Sequence, residues 1–273
     1  MSAPEQKTKN RVTIKDVASA AGVSIATVSY VLNNTPGQSI GEDTRKKVLQ
    51  FANLLGYECN IMARYLATGK TNTVSLVFKD IDGLAAQYYF KLIAELSRLL
   101  YRHNMTLKLA DYSDEIAASG NGCDAYITVA LSETEFREFA DTKYSPVIAI
   151  DSVFDDYLFY RINDNYAELY RKAKSELNAK AVALLTFALP SECIACAEQA
   201  FDKVITVRTL ADLKDLDGAY GYATACKAIA DNVDLSVYLE SASFALKASA
   251  AVGAAIKAIN RTQSSTEEHN ITI

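Results

Sequence analysis

The stretch Val12-Thr-Ile-Lys-Asp-Val-Ala-Ser-Ala-Ala-Gly22-Val-Ser-Ile-Ala-Thr-Val-Ser-Tyr-Val-Leu-Asn-Asn34-Thr35 decides the fold of the amino-terminal part of this chain. It reads as two short helices around a glycine turn. Thr13 is a good N-cap, with Asp16 three residues on as a short capping-box partner. Ile14, Val17 and Ala18 share one face at helical spacing. Gly22 supplies the left-handed residue that ends the first helix. Ser24 caps the second helix, Val28, Val31 and Leu32 form its buried stripe, and Asn33-Asn34 stop it. Ile25, Ala26, Thr27, Ser29 and Tyr30 are left at its start and outer face, where a recognition helix meets base edges. The competing reading is an ordinary helical hairpin in a small core.

Moving outward, Gly41-Glu42-Asp43-Thr44-Arg45 opens a third helix, predicted to turn Val48, Leu49, Ala52 and Leu55 inward, with Gly56-Tyr57 closing it. Its acidic first turn suits the positive end of a helix. A short helical segment follows from Asn60 to Ala67, ended by Gly69.

With these residues in register, 12 to about 78 resemble the lactose-repressor/galactose-repressor (LacI/GalR) family of bacterial transcription regulators. The resemblance rests on Val-Thr-Ile-Lys-Asp-Val-Ala, Ala-Gly-Val-Ser, Ala-Thr-Val-Ser, Val-Leu-Asn-Asn, Glu-Asp-Thr-Arg, Leu-Gly-Tyr, Asn60, Ala63-Arg64, Leu66 and Thr71-Asn72-Thr73. It implies that Ile25, Ala26 and Tyr30 face the major groove. Ile25 and Ala26 can make only apolar contacts there, and Tyr30 a single hydrogen bond. Ser24, Thr27, Ser29 and Asn33, with Thr13, would hold phosphates or caps. It further implies a hinge helix carrying Asn60, Ala63 and Arg64, and an apolar wedge at Leu66 that opens a base step in the minor groove; plain helix packing is the bland alternative for Leu66. Cys59, Tyr65 and Gly41 depart from the family pattern, which has proline, serine and a capping residue there.

Charge is unevenly placed. Residues 1–72 hold nine Lys/Arg and five Asp/Glu, a net +4, against −5 for the whole chain, which leaves −9 for the remainder. A basic reading head on an acidic body fits nucleic acid as partner. So small an excess charge makes a dimer on a two-fold operator the expected working form.

The remainder alternates strand and helix. Strands are predicted at 73–78, 105–110, 124–130, 147–150, 181–187 and 203–207, with 158–162 leading the crossover. Helices are predicted at 84–101, 163–177, 191–199, 221–231 and 244–259. This alternation implies parallel sheets. The resemblance implies a periplasmic-binding-protein-like body of two parallel-sheet subdomains with an effector cleft between. The expected fold class is therefore an all-α helix-turn-helix headpiece plus an α/β body. Its expected parts are a disordered tail (1–11), the DNA-binding domain (12–59), the hinge and linker (60–72), the effector and dimerisation domain (73–259) and a flexible polar tail (260–273).

Within that body, Pro146-Val-Ile-Ala-Ile-Asp151 resembles the family's cleft strand, making Asp151 the one candidate for effector binding, with Ser152 where arginine usually follows. Asp164 is read as a helix cap. Asp80 and Asp82 lie near the cleft mouth or are merely solvated. Several ligand-bearing features of the family are missing, and the body is shorter than the family norm. A sugar-like effector therefore stands beside an alternative, an effector-independent DNA binder whose body serves dimerisation or protein contacts.

Other classes find little support. No glycine-rich phosphate loop, nucleophile elbow or metal-ligand cluster is present, so no enzyme activity, cofactor or metal is expected. The five cysteines, including Cys193-Ile-Ala-Cys196, read as reduced thiols. A polar start without a signal peptide and no membrane-length apolar run point to the cytoplasm rather than to a periplasmic receptor.

Overall fold

The computed structural model describes residues 12–33, 37–57, 69–81, 83–118, 122–234, 236–239, 242–262 and 265–273. The predicted hinge helix, with Asn60, Ala63, Arg64 and Leu66, lies outside the described residues, as do Asp82 and the tail 1–11. The chain divides into two compact units, Met1–Gly69 and Lys70–Ile273.

Among its described residues the first unit, the head, has three helices, α1 (Ile14–Ala21), α2 (Ile25–Leu32) and α3 (Glu42–Leu55). Its core is small: Val17, Ala18, Ala21, Val28, Val31, Val48 and Ala52 are buried together, with Ile14, Leu32 and Phe51 packed against them. Leu49 and Leu55, expected inward, are instead 47% and 36% exposed. Alanines at 18, 21 and 52 let the helices approach closely, so Val48, Phe51 and Ala52 already fill the inner arc of α3. Gly22 and Gly56 both end their helices at positive φ, 64° and 66°, and return their N–H groups to the last turn. Such a conformation costs a side chain roughly 1 kcal/mol or more and glycine nothing.

The second unit holds two wholly parallel sheets. The first has six strands, β1 (Thr73–Phe78), β2 (Thr106–Asp111), β3 (Ala125–Val129), β4 (Val147–Ile150), β5 (Tyr160–Asn163) and, from the far end of the chain, β10 (Asn270–Thr272), in the order β10-β5-β4-β3-β1-β2. The second has four, β6 (Val182–Thr186), β7 (Lys203–Thr206), β8 (Gly221–Thr224) and β9 (Ser236–Tyr238), in the order β7-β6-β8-β9. Strands β3, β4 and β6 are buried along their whole length, which is why they read as unbroken apolar runs. Asp124 fixes the entry to β1, accepting from the Thr71 N–H at 2.7 Å, the Thr71 hydroxyl at 2.8 Å and the Asn72 N–H at 2.8 Å.

Helices cover both faces of the first sheet. On one face lie α4 (Gly83–Arg102) and α10 (Ala242–Ile259). Leu84, Tyr88, Leu92, Leu96 and Leu100 of α4 recur at helical spacing and are buried. On the other face α5 (Tyr112–Ala117) and α6 (Glu133–Asp141) cover Val77, Tyr126 and Ala149, with Phe136 stacked on Phe154 at 4.3 Å. The second sheet carries α7 (Tyr166–Leu177), α8 (Ser191–Ala200) and the short α9 (Lys227–Ala230).

Three expectations need correction. The helix predicted over 221–231 is a strand followed by one helical turn. Its alanine-rich sequence has little β preference, but Gly221–Thr224 is held in the sheet between β6 and β9, and burial overrides propensity there. A Cβ on Gly221 would stand 2.8 Å from that of Ala179, so only glycine fits this strand start without displacement. The tail expected to fray ends as a strand: β10 pairs with β5, and the Ile273 N–H donates to the Asn163 carbonyl at 2.9 Å. The polar run before it hid a three-residue edge strand whose Ile271 packs on the core. Finally, the helix expected from Asn163 starts at Tyr166, capped by Asn165, whose side chain accepts from the Glu168 N–H at 3.1 Å.

Candidate nucleic-acid interface and the cleft of the body

The outer face of α2 is built from its caps. The Asp16 carboxylate accepts from both the N–H and the hydroxyl of Thr13, at 2.8 and 2.7 Å. These bonds hold the Asp16 carboxyl below its ordinary value, the backbone bond contributing most. The Ser24 hydroxyl accepts from the Thr27 N–H at 3.0 Å and lies 2.9 Å from the Thr27 hydroxyl. Asn33 donates from its side-chain amide to the Ser29 hydroxyl at 3.1 Å. Thr13, Ser24, Thr27, Ser29 and Asn33 thus bond within the head and fix the ends of its first two helices.

Ile25, Ala26 and Tyr30 remain exposed on α2, Ile25 by 46% and Tyr30 by 37%. Burying an isoleucine normally stabilises by about 1.5–3 kcal/mol, so leaving Ile25 in water sets aside that gain. The helix is pinned from behind by Val28 and Val31, so this small, largely uncharged face is presented rigidly.

In the body, Asp151 and Asp164 directly follow β4 and β5, while Thr186 and Thr224 end β6 and β8. Carboxyl ends of parallel strands are where open α/β sheets place ligands. All four residues line one cavity of about 30 Å³, together with Tyr88, Tyr166 and Phe187. Two of them, Asp151 and Asp164, are paired from behind by Lys247, a fully buried residue of α10 that the sequence reasoning missed. The Lys247 ammonium lies 2.6 Å from Asp151 Oδ1 and 2.8 Å from Asp164 Oδ2. It also donates to the Tyr88 hydroxyl at 3.2 Å. Asp151 Oδ2 accepts from the Tyr89 hydroxyl at 2.9 Å.

Asp164, expected as a cap, is therefore an ion-pair partner. Burial would push the Lys247 ammonium down, but Asp151 and then Asp164 more than offset it and hold the group well above its ordinary value. Burial pushes the Asp164 carboxyl up, and the nearby Asp151 charge adds to that. A signal for Lys247 was present in the sequence. It falls on the same helical face as Phe244, Ala248 and Ala251, all buried, and a lysine among them needs an acidic partner.

Of the Cys-x-x-Cys pair, Cys193 is buried with its thiol 3.3 Å from the Asp151 carbonyl oxygen, and burial pushes that thiol up, away from reactivity. Both cysteines are free thiols. Asp80 is exposed. Among the described residues there is no group of three His, Cys, Asp or Glu able to hold a metal, and no helix long and apolar enough to cross a membrane.

A helical head with an outward-facing, capped second helix, in one chain with a bilobed parallel α/β body, defines the helix-turn-helix class of proteins with a two-lobed partner domain. Residues 13–60 match the bacterial regulatory proteins, lacI family. Over 111 residues it is 40% identical to catabolite control protein A of Streptococcus mutans serotype c, covering 40% of this chain and 32% of that protein. Among the curated relatives it matches, the chain spans between about a quarter and somewhat over half of their length, 27% in one case and 55% in another. The structure of the Lac repressor dimer bound to operator and the anti-inducer ONPF superposes with a TM-score of 0.65 at 15% identity, over 97% of this chain and 96% of that one. A periplasmic binding protein/LacI transcriptional regulator from Alkaliphilus metalliredigens QYMF, complexed with D-xylulofuranose, superposes with a TM-score of 0.52 at 11% identity, over 74% of this chain and 95% of that one. The fold of the body is thus periplasmic-binding-protein-like.

Proposed function

We propose that this chain is a sequence-specific DNA-binding transcription regulator, a repressor, that acts in the cytoplasm as a homodimer on a pseudo-palindromic operator. The observation that carries the reading is the pinned α2, whose exposed Ile25, Ala26 and Tyr30 stand within the matched head. Ile25 and Ala26 read thymine methyls by contact, and Tyr30 offers one donor or acceptor. The caps at Thr13, Ser24, Thr27, Ser29 and Asn33 set the helix ends and place hydroxyls near phosphates. Asn60, Ala63 and Arg64 belong in this reading to a hinge, with Leu66 as its minor-groove wedge.

Selection from a randomised duplex library with the purified chain tests this. The expected outcome is two symmetry-related half-sites, with preferences at one or two base pairs lost in Tyr30→Ala. Absence of any preference over random competitor at low salt refutes it.

For the body, a sugar-like effector binding at Asp151 competes with effector independence. One observation favours the second: both carboxylate oxygens of Asp151 are taken up inside the chain, by Lys247 and Tyr89. The cavity of about 30 Å³ beside them holds a water or two, and the adjoining cleft of about 940 Å³, within the roughly 300–1,000 Å³ of ordinary ligand pockets, is lined by Asp164 but not by Asp151. A panel of pentoses and hexoses that leaves the melting temperature unchanged is the expected result, since any ligand of the folded state raises it.

A further inference from the structure

We propose that the floor of the cleft is a primary-ammonium site which the chain fills with its own Lys247, so that this residue takes up the carboxylates an effector would otherwise meet. An ammonium has three N–H donors and no acceptor. Here it meets three oxygen acceptors from three separate elements: Asp151 after β4 at 2.6 Å, Asp164 after β5 at 2.8 Å and Tyr88 of α4 at 3.2 Å. Lys247 is fully buried, so water supplies none of these contacts.

The surroundings make the site one for a cation rather than for a sugar. Tyr88 packs on Phe187 at 4.8 Å and on Phe244 at 4.5 Å, closing the cleft with aromatic faces. Phe187 follows β6 of the second sheet, whereas Tyr88 and Phe244 lie on α4 and α10 over the first. The Cys193 thiol, from α8, donates to the Asp151 carbonyl across the same seam. The second oxygen of Asp164, Oδ1, is buried without a hydrogen-bond partner among the described residues. Neutral hydroxyl ligands would have to displace a paired charge and leave it buried and unpaired. This assignment rests on the regulator reading only for its consequence, a cleft whose acidic groups are already paired without a small molecule.

The test is run on the full chain by thermal unfolding of the body. Lys247→Ala removes the ammonium and leaves its acceptors in place. It is expected to lower the melting temperature by ten degrees or more. Propylammonium or butylammonium chloride should then recover at least half of that loss saturably, whereas tetramethylammonium or sodium chloride at equal ionic strength should not. Lys247→Met, which fills the space without a charge, should show no rescue by any amine.

Should Lys247→Ala fail to fold, ¹⁵N NMR of the lysine ammonium groups in the unaltered chain decides the matter. A slowly exchanging ammonium resonance absent from Lys247→Met supports the site. Loss of no slowly exchanging resonance on that substitution overturns it, as does a folded Lys247→Ala that no primary amine stabilises. A neutral sugar that binds the unaltered chain stoichiometrically also overturns it. DNA selection is independent of all these readings, so failure of the ammonium site and failure of the regulator reading are told apart.

Discussion

Replacing Val28 with alanine separates the stability of the head from its reading surface. Val28 is fully buried on the inner side of α2, against Val17, Ala21 and Val48. The substitution removes two methyl groups. At about 0.8 kcal/mol for each buried carbon of this size the transfer loss is about 1.6 kcal/mol. A residual cavity of ~20 Å³ would add about 0.5 kcal/mol at roughly 24 cal/mol per Å³. The total is about 2 kcal/mol. A head of ~60 residues has on the order of 5 kcal/mol of stability, so the variant keeps about 3 kcal/mol. At 25 °C fewer than about one head in a hundred would then be unfolded, and operator affinity should change less than about twofold. The head's melting temperature should nevertheless fall by roughly 8–16 °C. Scanning calorimetry and a fluorescence-anisotropy titration on the selected duplex measure the two quantities. Ile25→Ala should do the opposite, leaving the melting temperature within a degree or two and weakening binding. An unchanged melting temperature for Val28→Ala would refute the core assigned to the head. A tenfold loss of affinity at 15 °C with the head still folded would refute the assignment of the reading face.

Two further outcomes are expected. Gly221→Ala forces a Cβ to within 2.8 Å of that of Ala179, and overpacking of this kind costs about 1–3 kcal/mol; calorimetry should show the body melting earlier and the head unchanged. Asp16 has a folded pKa below its ordinary 3.8 because Thr13 donates to its charged form, so its stabilisation of the head is present above that value and lost as the pH falls through the depressed one. Melting curves between about pH 2 and pH 6 should show this loss in the unaltered head and not in Asp16→Asn, with carboxyl ¹³C NMR giving the titration itself.

Much of the head was legible because each of its signals is local. A cap and its partner lie three residues apart, and a helix-ending glycine needs only its own backbone to explain it. Strands β1, β3 and β4 were legible for a related reason, since a run buried on both faces is mostly apolar, with only small hydroxyl residues such as Ser75 and Thr128 interspersed. Strand β8 was misread because Gly-Tyr-Ala-Thr gains its extended form from the neighbours β6 and β9, which the local sequence does not contain. Strand β10 was missed because three residues carry no period. The cleft was the least legible part. Asp151, Asp164 and Lys247 are separated by up to 96 residues, and only the crossing of strands and helices brings them together. Asp164 was assigned to capping because an aspartate before a helix usually caps it, yet the neighbouring Asn165 does that work.

The order of strands in the six-stranded sheet has a consequence for synthesis. Five of its strands are contiguous in the chain, but α10 and β10 leave the ribosome only after the whole of the second sheet. The head and the four-stranded lobe each consist of one unbroken segment and can fold as soon as they emerge. The lobe that begins first must wait longest, its β5 edge and the α10 seat uncovered while some hundred residues are translated. A pause engineered just before α10 should therefore expose a nascent body to proteolysis within its earlier half, while the head already resists digestion.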